Sequence, residues 1–293
     1  MRRWAALAVA VLIASVPVTA SPAAAQAGTS DPARAIKRQF RNEHGVRISE
    51  TSRYFFDGKS TVSGNWFRIK GSLQFAPSGP VAADFTWWAL SRPKPGEPPS
   101  EKPVPYRVIR VGEDVYDAAE HYPGPVPDGK KWIRFPNKHR GLMNRDMARD
   151  VSLQPIDVYD PSVMRAVLKR STSDPVSGGF LYRGAVSYKE LSRISKGAFV
   201  NPISGRPIGG KSKGRVSWRL WTGRDGLPKR LVTADTTGEG RNPLVKRTDT
   251  HYTDWGFRLA VTAPPADEVI DEADLLEYVR EQNSPIPEDE KNT

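Results

Sequence analysis

The stretch RLWTGRDGLPKRLV (residues 219–232) decides the fold class. Bulky and polar residues alternate up to Thr222, Gly223-Arg224-Asp225-Gly226 turns the chain, and Leu227 to Val232 leads back. Asp-Gly supplies the positive φ that a tight hairpin turn requires. Trp218 and Trp221, three apart, point to opposite faces of the strand. The stretch therefore reads as one hairpin of an antiparallel sheet.

The same period of two recurs on both sides of it. NWFRIKGSLQF (65–75) alternates Phe67, Ile69, Leu73 and Phe75 with Arg68, Lys70, Ser72 and Gln74; APSGP turns and VAADFTWWAL returns. Six prolines between Arg92 and Pro105 predict a loop. YRVIRVGEDVYDAAEHYP (106–123) predicts two strands around a Gly112-Glu113-Asp114 turn, and KKWIRFP a third. NPLVKRTDTHYTDWGFRLAV (242–261) resumes the sheet. Helices are expected at DPARAIKRQFRNEHG, capped by Asp31 and ended by Gly45, at DPSVMRAVLKRS after Asp160, at SYKELSRIS with Ser187 and Glu190 as a capping box, and at DEADLLEYVREQ. YRGAV is readable as a strand between the middle helices, and residues 197–215 as a mobile Gly-, Ser- and Lys-rich segment. The expected class is α+β: an antiparallel sheet that covers its apolar face with helices or holds something there.

The N-terminus specifies a compartment. Arg2 and Arg3 precede an apolar run that ends at Pro17, too short to span a bilayer, and Ala25-Gln26-Ala27 fits a signal-peptidase site, with Val18-Thr19-Ala20 as the second choice. The expected division is a signal peptide over 1–27, a sheet-plus-helices domain over 31–270, and a C-terminal helix with a disordered tail over 271–293. With no cysteine there is neither a disulfide framework nor an acylation site, so a secreted or envelope protein without a covalent lipid anchor is expected. The formal net charge of +11 suits an anionic membrane surface or wall polymer, whereas nucleic acid is not the expected partner of an exported chain.

Catalytic signatures are lacking. His44, His121, His139 and His251 have no metal-ligand spacing. Ser91-Arg92-Pro93-Lys94 enters a proline loop rather than opening a helix. Asp114, Asp117 and Glu120 read as solvated turn residues, and His251 with Asp249 as a polar pair on one strand face. A monomer that is not an enzyme and uses no cofactor is expected. Phe67, Phe75, Phe85, Trp87, Trp132, Trp218, Tyr252 and Trp255 all fall in strands or at strand ends, where they build either a core or the wall of an apolar cavity.

DGLPKRL (225–231), THYTDWG (250–256) and VTAPPADEVID (261–271), preceded in order by GSLQFAPSG, GEDVY and GKKWIRF, resemble the LppX/LprG-like branch of the LolA superfamily over residues 46–271. The resemblance implies a curved antiparallel half-barrel with helices on its concave side, and a cavity that carries acyl chains or glycolipids. The related RseB-like branch implies instead an envelope interaction or stress-sensor protein without lipid. Phe85, Trp87, Trp218 and Leu220 are the candidate ligand lining, with Trp88 and Trp221 as the set on the opposite face, and helices over 160–171 and 187–195 as the lid. Lys130, Lys131, Arg134, Lys138 and Arg140 are the candidate contacts for anionic headgroups.

Overall fold

The computed structural model describes residues 31–56, 59–60, 66–90, 105–136, 152–195, 213–237 and 244–283. The expected leader and its cleavage site, nearly all of the proline loop, Lys138, Arg140 and the tail after residue 283 lie outside these. A thirteen-stranded sheet organises the chain. Its strands are β1 (His44–Phe56), β2 (Lys59–Ser60), β3 (Trp66–Ala76), β4 (Gly79–Leu90), β5 (Tyr106–Val111), β6 (Asp114–Ala118) and β7 (Trp132–Pro136), then β8 (Thr172–Val176), β9 (Gly179–Ser187), β10 (Gly214–Gly223), β11 (Pro228–Thr237), β12 (Leu244–Arg258) and β13 (Val269–Asp271). Twelve of them run β13-β7-β6-β5-β4-β3-β1-β12-β11-β10-β9-β8, and β2 pairs beside β1. β13 and β8 are the edges, so the sheet is open rather than closed.

Most of the expected hairpins are present. β10 and β11 pair from Gly214↔Thr237 to Thr222↔Pro228, with Gly226 at φ 81° in the turn and its N–H donating to the Gly223 carbonyl at 3.0 Å. Four elements differ from the sequence expectation. β8 pairs with β9 even though it contains Pro175, because an edge strand needs no hydrogen bond from that side. β13 pairs parallel to β7, so the sheet is mixed rather than purely antiparallel. The first helix, α1 (Pro32–Arg38), ends well before Gly45, which already belongs to β1. Residues 214 and 215, expected in a mobile segment, open β10.

Both middle helices are capped as their sequences predict. Asp160 accepts from the N–H groups of Ser162 and Val163 at the start of α2 (Pro161–Leu168), and Ser187 accepts from Glu190 N–H at the start of α3 (Tyr188–Ile194). Glu190 turns outward to Arg193 (2.8 Å) instead of completing the capping box. α1, α2 and α3 cover one face of the sheet, here called the inner face, and bury Ile36, Met164, Val167 and Leu191 against it. At the far edge α4 (Glu272–Gln282) seats Leu275 on Ile133 and Ile270 as a small second core.

Candidate functional site

Strand alternation builds the inner face. β1 contributes Val46, Ile48, Glu50, Ser52 and Tyr54; the register places Phe67 of β3 opposite Ser52, and Trp87 of β4 opposite Ile69 on one side and Tyr106 of β5 on the other. Four aromatic side chains thus cross four adjacent strands as a row. Phe67 meets Tyr54 and Trp87 edge-on at 6.3 and 6.4 Å between centroids, and Trp87 reaches Phe85 at 6.4 Å. Tyr54, Phe67, Trp87 and Tyr106 are half-buried, whereas Ile69, Leu73, Phe75 and Phe85, farther along the same face, are buried in the core. Gly71 is required beneath this step: a Cβ there would lie 2.4 Å from both the Asp84 carbonyl oxygen and Phe85 Cβ.

Ionisable groups stand at one end of the row. Tyr106 donates its hydroxyl hydrogen to Asp117, and its ring meets His121 edge-on at 4.9 Å. His121 is held by the Pro105 carbonyl oxygen, 2.7 Å from its Nε2. Asp117 is buried, and that burial pushes its carboxyl up to about 6 against the opposing effects of the Tyr106 hydrogen bond and of His121. Burial also raises Tyr106, with the Asp117 charge adding to it. The sequence reading placed Asp117 in a solvated turn; the phase of β6 instead sends it inward with Val115.

The centre of the inner face is closed. An irregular segment, residues 152–159, packs on it and is fastened by Glu50, whose carboxylate accepts from the Ser152 hydroxyl, the Leu153 N–H (2.6 Å) and the Thr250 hydroxyl (2.7 Å). Lys246 donates to the Leu153 carbonyl at 3.0 Å, and Gln154 bonds the Leu231 carbonyl (3.0 Å), Thr250 (2.8 Å) and Thr233 (2.8 Å). Burial holds Glu50 above the usual carboxylate range, opposed by these hydrogen bonds and by Lys246. Nothing in the sequence reading anticipated this strap. Its one signal is the inner series of β1, which turns from Val46 and Ile48 to Glu50 and Ser52.

The residues singled out from sequence divide among these regions. Phe85, Trp218 and Leu220 are on the inner face and only 3, 4 and 1% exposed, while Trp87 is half-buried in the aromatic row. The structure brings Phe85 and Trp87 together. Trp218 and Leu220 on β10 stand five strands away, roughly 24 Å, in the core that the helices share with the sheet. Trp88 and Trp221 are on the outer face, where Trp221 carries the Arg230 guanidinium 5.2 Å above its ring. Lys131 is paired to Glu268 and Arg134 to Asp271, each at 2.5 Å, and Lys130 donates to the Asp267 carbonyl at 2.9 Å. Two of the cations expected to meet headgroups, Lys131 and Arg134, thus each have an acidic partner, while Lys130 meets a backbone carbonyl.

No family model matches this chain, and no curated protein matches it in sequence. Similar solved structures include the MucA/MucB complex of Pseudomonas aeruginosa, at 14% identity and a TM-score of 0.28 over 82% of this chain and 59% of that one. A DUF1329 family protein from Desulfovibrio piger matches at 11% identity and a TM-score of 0.27, over 80% of this chain and 93% of that one. A putative outer membrane lipoprotein-sorting protein domain from Vibrio parahaemolyticus also matches at 11% and 0.27, over 86% of this chain and 97% of that one.

Proposed function

We propose that this chain is an exported, non-enzymatic envelope carrier that holds the acyl chain of a lipid against the row formed by Tyr54, Phe67, Trp87 and Tyr106. The observation that carries the proposal is the change in burial along one sheet face. Apolar rings continue from a packed core into positions that remain half-buried, with a single hydrogen-bonded acid, Asp117–Tyr106, at the end. Apolar sites with few fixed polar groups are typical ligand seats. Each methylene transferred from water contributes about 0.8 kcal/mol, so a chain lying along four strands gains useful affinity from contact area alone.

Titration with a fluorescent fatty acid, read by tryptophan quenching, and mass spectrometry of organic extracts from natively purified protein test this. Saturable binding in the wild type should weaken at least tenfold in Trp87→Ala. Trp218→Ala, which removes a core ring, should lower stability and leave affinity within about twofold in the folded fraction. Absence both of saturable binding and of lipid in the native extract would overturn the proposal. The second reading, an envelope interaction or sensor protein without lipid, would then stand; it is favoured by the satisfied polar strap that fills the centre of the inner face.

A further inference from the structure

The outer face of the sheet carries an unrelated set of residues. Alternation puts Ser49, Thr51 and Arg53 of β1 there, beside Arg68 and Lys70 of β3 on one side and Arg247, Asp249 and His251 of β12 on the other. Arg53 stands directly opposite Arg247. Like charges placed so destabilise a strand pair. Among the described residues Arg53, Arg68, Lys70 and Arg247 form no ion pair, and Asp249, the acid of this cluster, is held bidentate by Arg230 at 2.8 and 2.6 Å, with Arg247 acting on it only through its charge. All four cations are exposed.

Among the described residues the surplus on this face lies on these central strands and on β10, where Arg215 and Arg219 are also exposed and form no ion pair. Toward the sheet margins the acids are matched, Asp84 with Arg107 at 2.7 Å and Asp174 with Arg183 at 3.1 Å. The hydroxyls of Ser49 and Thr51 lie with Arg53, Arg247 and His251 in a groove of about 380 Å³. Indoles flank it: Trp66 lies under the Arg53 guanidinium at 5.2 Å, Trp88 stands opposite Arg68, and Trp221 is on β10.

We propose that this outer face, centred on the groove between Arg53 and Arg247, docks on the phosphate-bearing headgroups of an anionic membrane. Guanidinium forks and hydroxyl donors match phosphate oxygens. Half-buried tryptophans among cations suit the headgroup layer, where amphipathic rings settle. The tryptophans span five strand spacings, roughly 24 Å, which fits an extended surface rather than one small anion. The docking face is opposite the aromatic row, so each stands or falls without the other.

Flotation of the full protein with phosphatidylcholine vesicles, with and without one third phosphatidylglycerol, tests it and requires no ligand of the inner face. The protein should bind the anionic vesicles alone, and more weakly as salt rises. Arg53→Gln and Arg247→Gln should each lower the partition coefficient roughly fivefold, and together roughly thirtyfold, at about one basic residue's contribution each. Each should shift the unfolding midpoint only slightly, since the like-charge contact removed offsets the loss of the Arg53–Trp66 contact or of the Arg247 attraction to Asp249. Arg53→Lys, which keeps the charge, should retain binding, and Lys189→Gln on α3 should leave it unchanged. Equal binding to neutral vesicles, an equal loss in Lys189→Gln, or saturable uptake of inorganic phosphate without vesicle binding would overturn the proposal.

Discussion

Replacing Asp117 with asparagine should stabilise the fold at neutral pH. The carboxyl is 5% exposed, and burial raises it from 3.8 to about 6. That gap corresponds to roughly 3 kcal/mol between its two protonation states. Below 3.8 both folded and unfolded chains carry the proton, and the group adds nothing to the pH dependence. Between 3.8 and about 6 the unfolded chain ionises first, so stability falls as pH rises, and above about 6 the whole difference has been lost. Asparagine imitates the neutral acid at every pH and still accepts from Tyr106. Chemical unfolding followed by tryptophan fluorescence should show the two proteins nearly equal at about pH 4, and the variant ahead by up to about 3 kcal/mol at about pH 7.5. A variant less stable than wild type at the upper pH, or two parallel curves, would refute the claim that burial dominates at this site.

Two further substitutions probe the frame of the inner face. Glu50→Ala leaves the Leu153 N–H without its acceptor and takes an anion from beside Lys246, and should cost about 3–5 kcal/mol in a urea titration; Glu50→Gln, around which the Ser152 and Thr250 hydroxyls can reorient, should cost less than half of that. Gly71→Ala drives a Cβ into the β4 backbone at 2.4–2.5 Å and should lower stability by at least about 2 kcal/mol in thermal unfolding.

Local chemistry made much of the fold legible. Asp-Gly fixed the β10–β11 turn, alternation fixed which residues share a strand face, and Asp160 and Ser187 fixed the starts of α2 and α3. What escaped depends on partners distant in sequence. TSDPV of β8 has a loop's composition and becomes a strand only because β9 lies beside it on an edge. The three residues of β13 carry no period, and their pairing follows from packing α4 on Ile133. α1 stops early because Phe40 turns back to pack on Phe75, 5.5 Å between ring centroids, and the chain reverses through Glu43 at φ 55°. At the candidate site, alternation put Phe85 with Trp87 and Trp218 with Leu220 correctly, but no local signal tells that helices bury one pair while Trp87 stays half-buried. Asp117 was hidden among neighbouring acids, and only the phase of β6 distinguishes it from Asp114.

The middle of the sheet is made by β1 and β12, which pair from His44↔Arg258 to Phe56↔Leu244. About two hundred residues separate these partners, so the longest ladder among the described residues closes late as the chain emerges, before only the short β13–β7 pairing. Topologies dominated by such distant pairing gain their contacts slowly. Until β12 arrives, β1 has no neighbour on one side, and neither face of the centre, the strap beneath it or the cationic groove above it, exists. A chain proposed to cross a membrane as a thread benefits from that delay: it stays open until its last strands are through, and the two candidate binding surfaces are completed together on the far side.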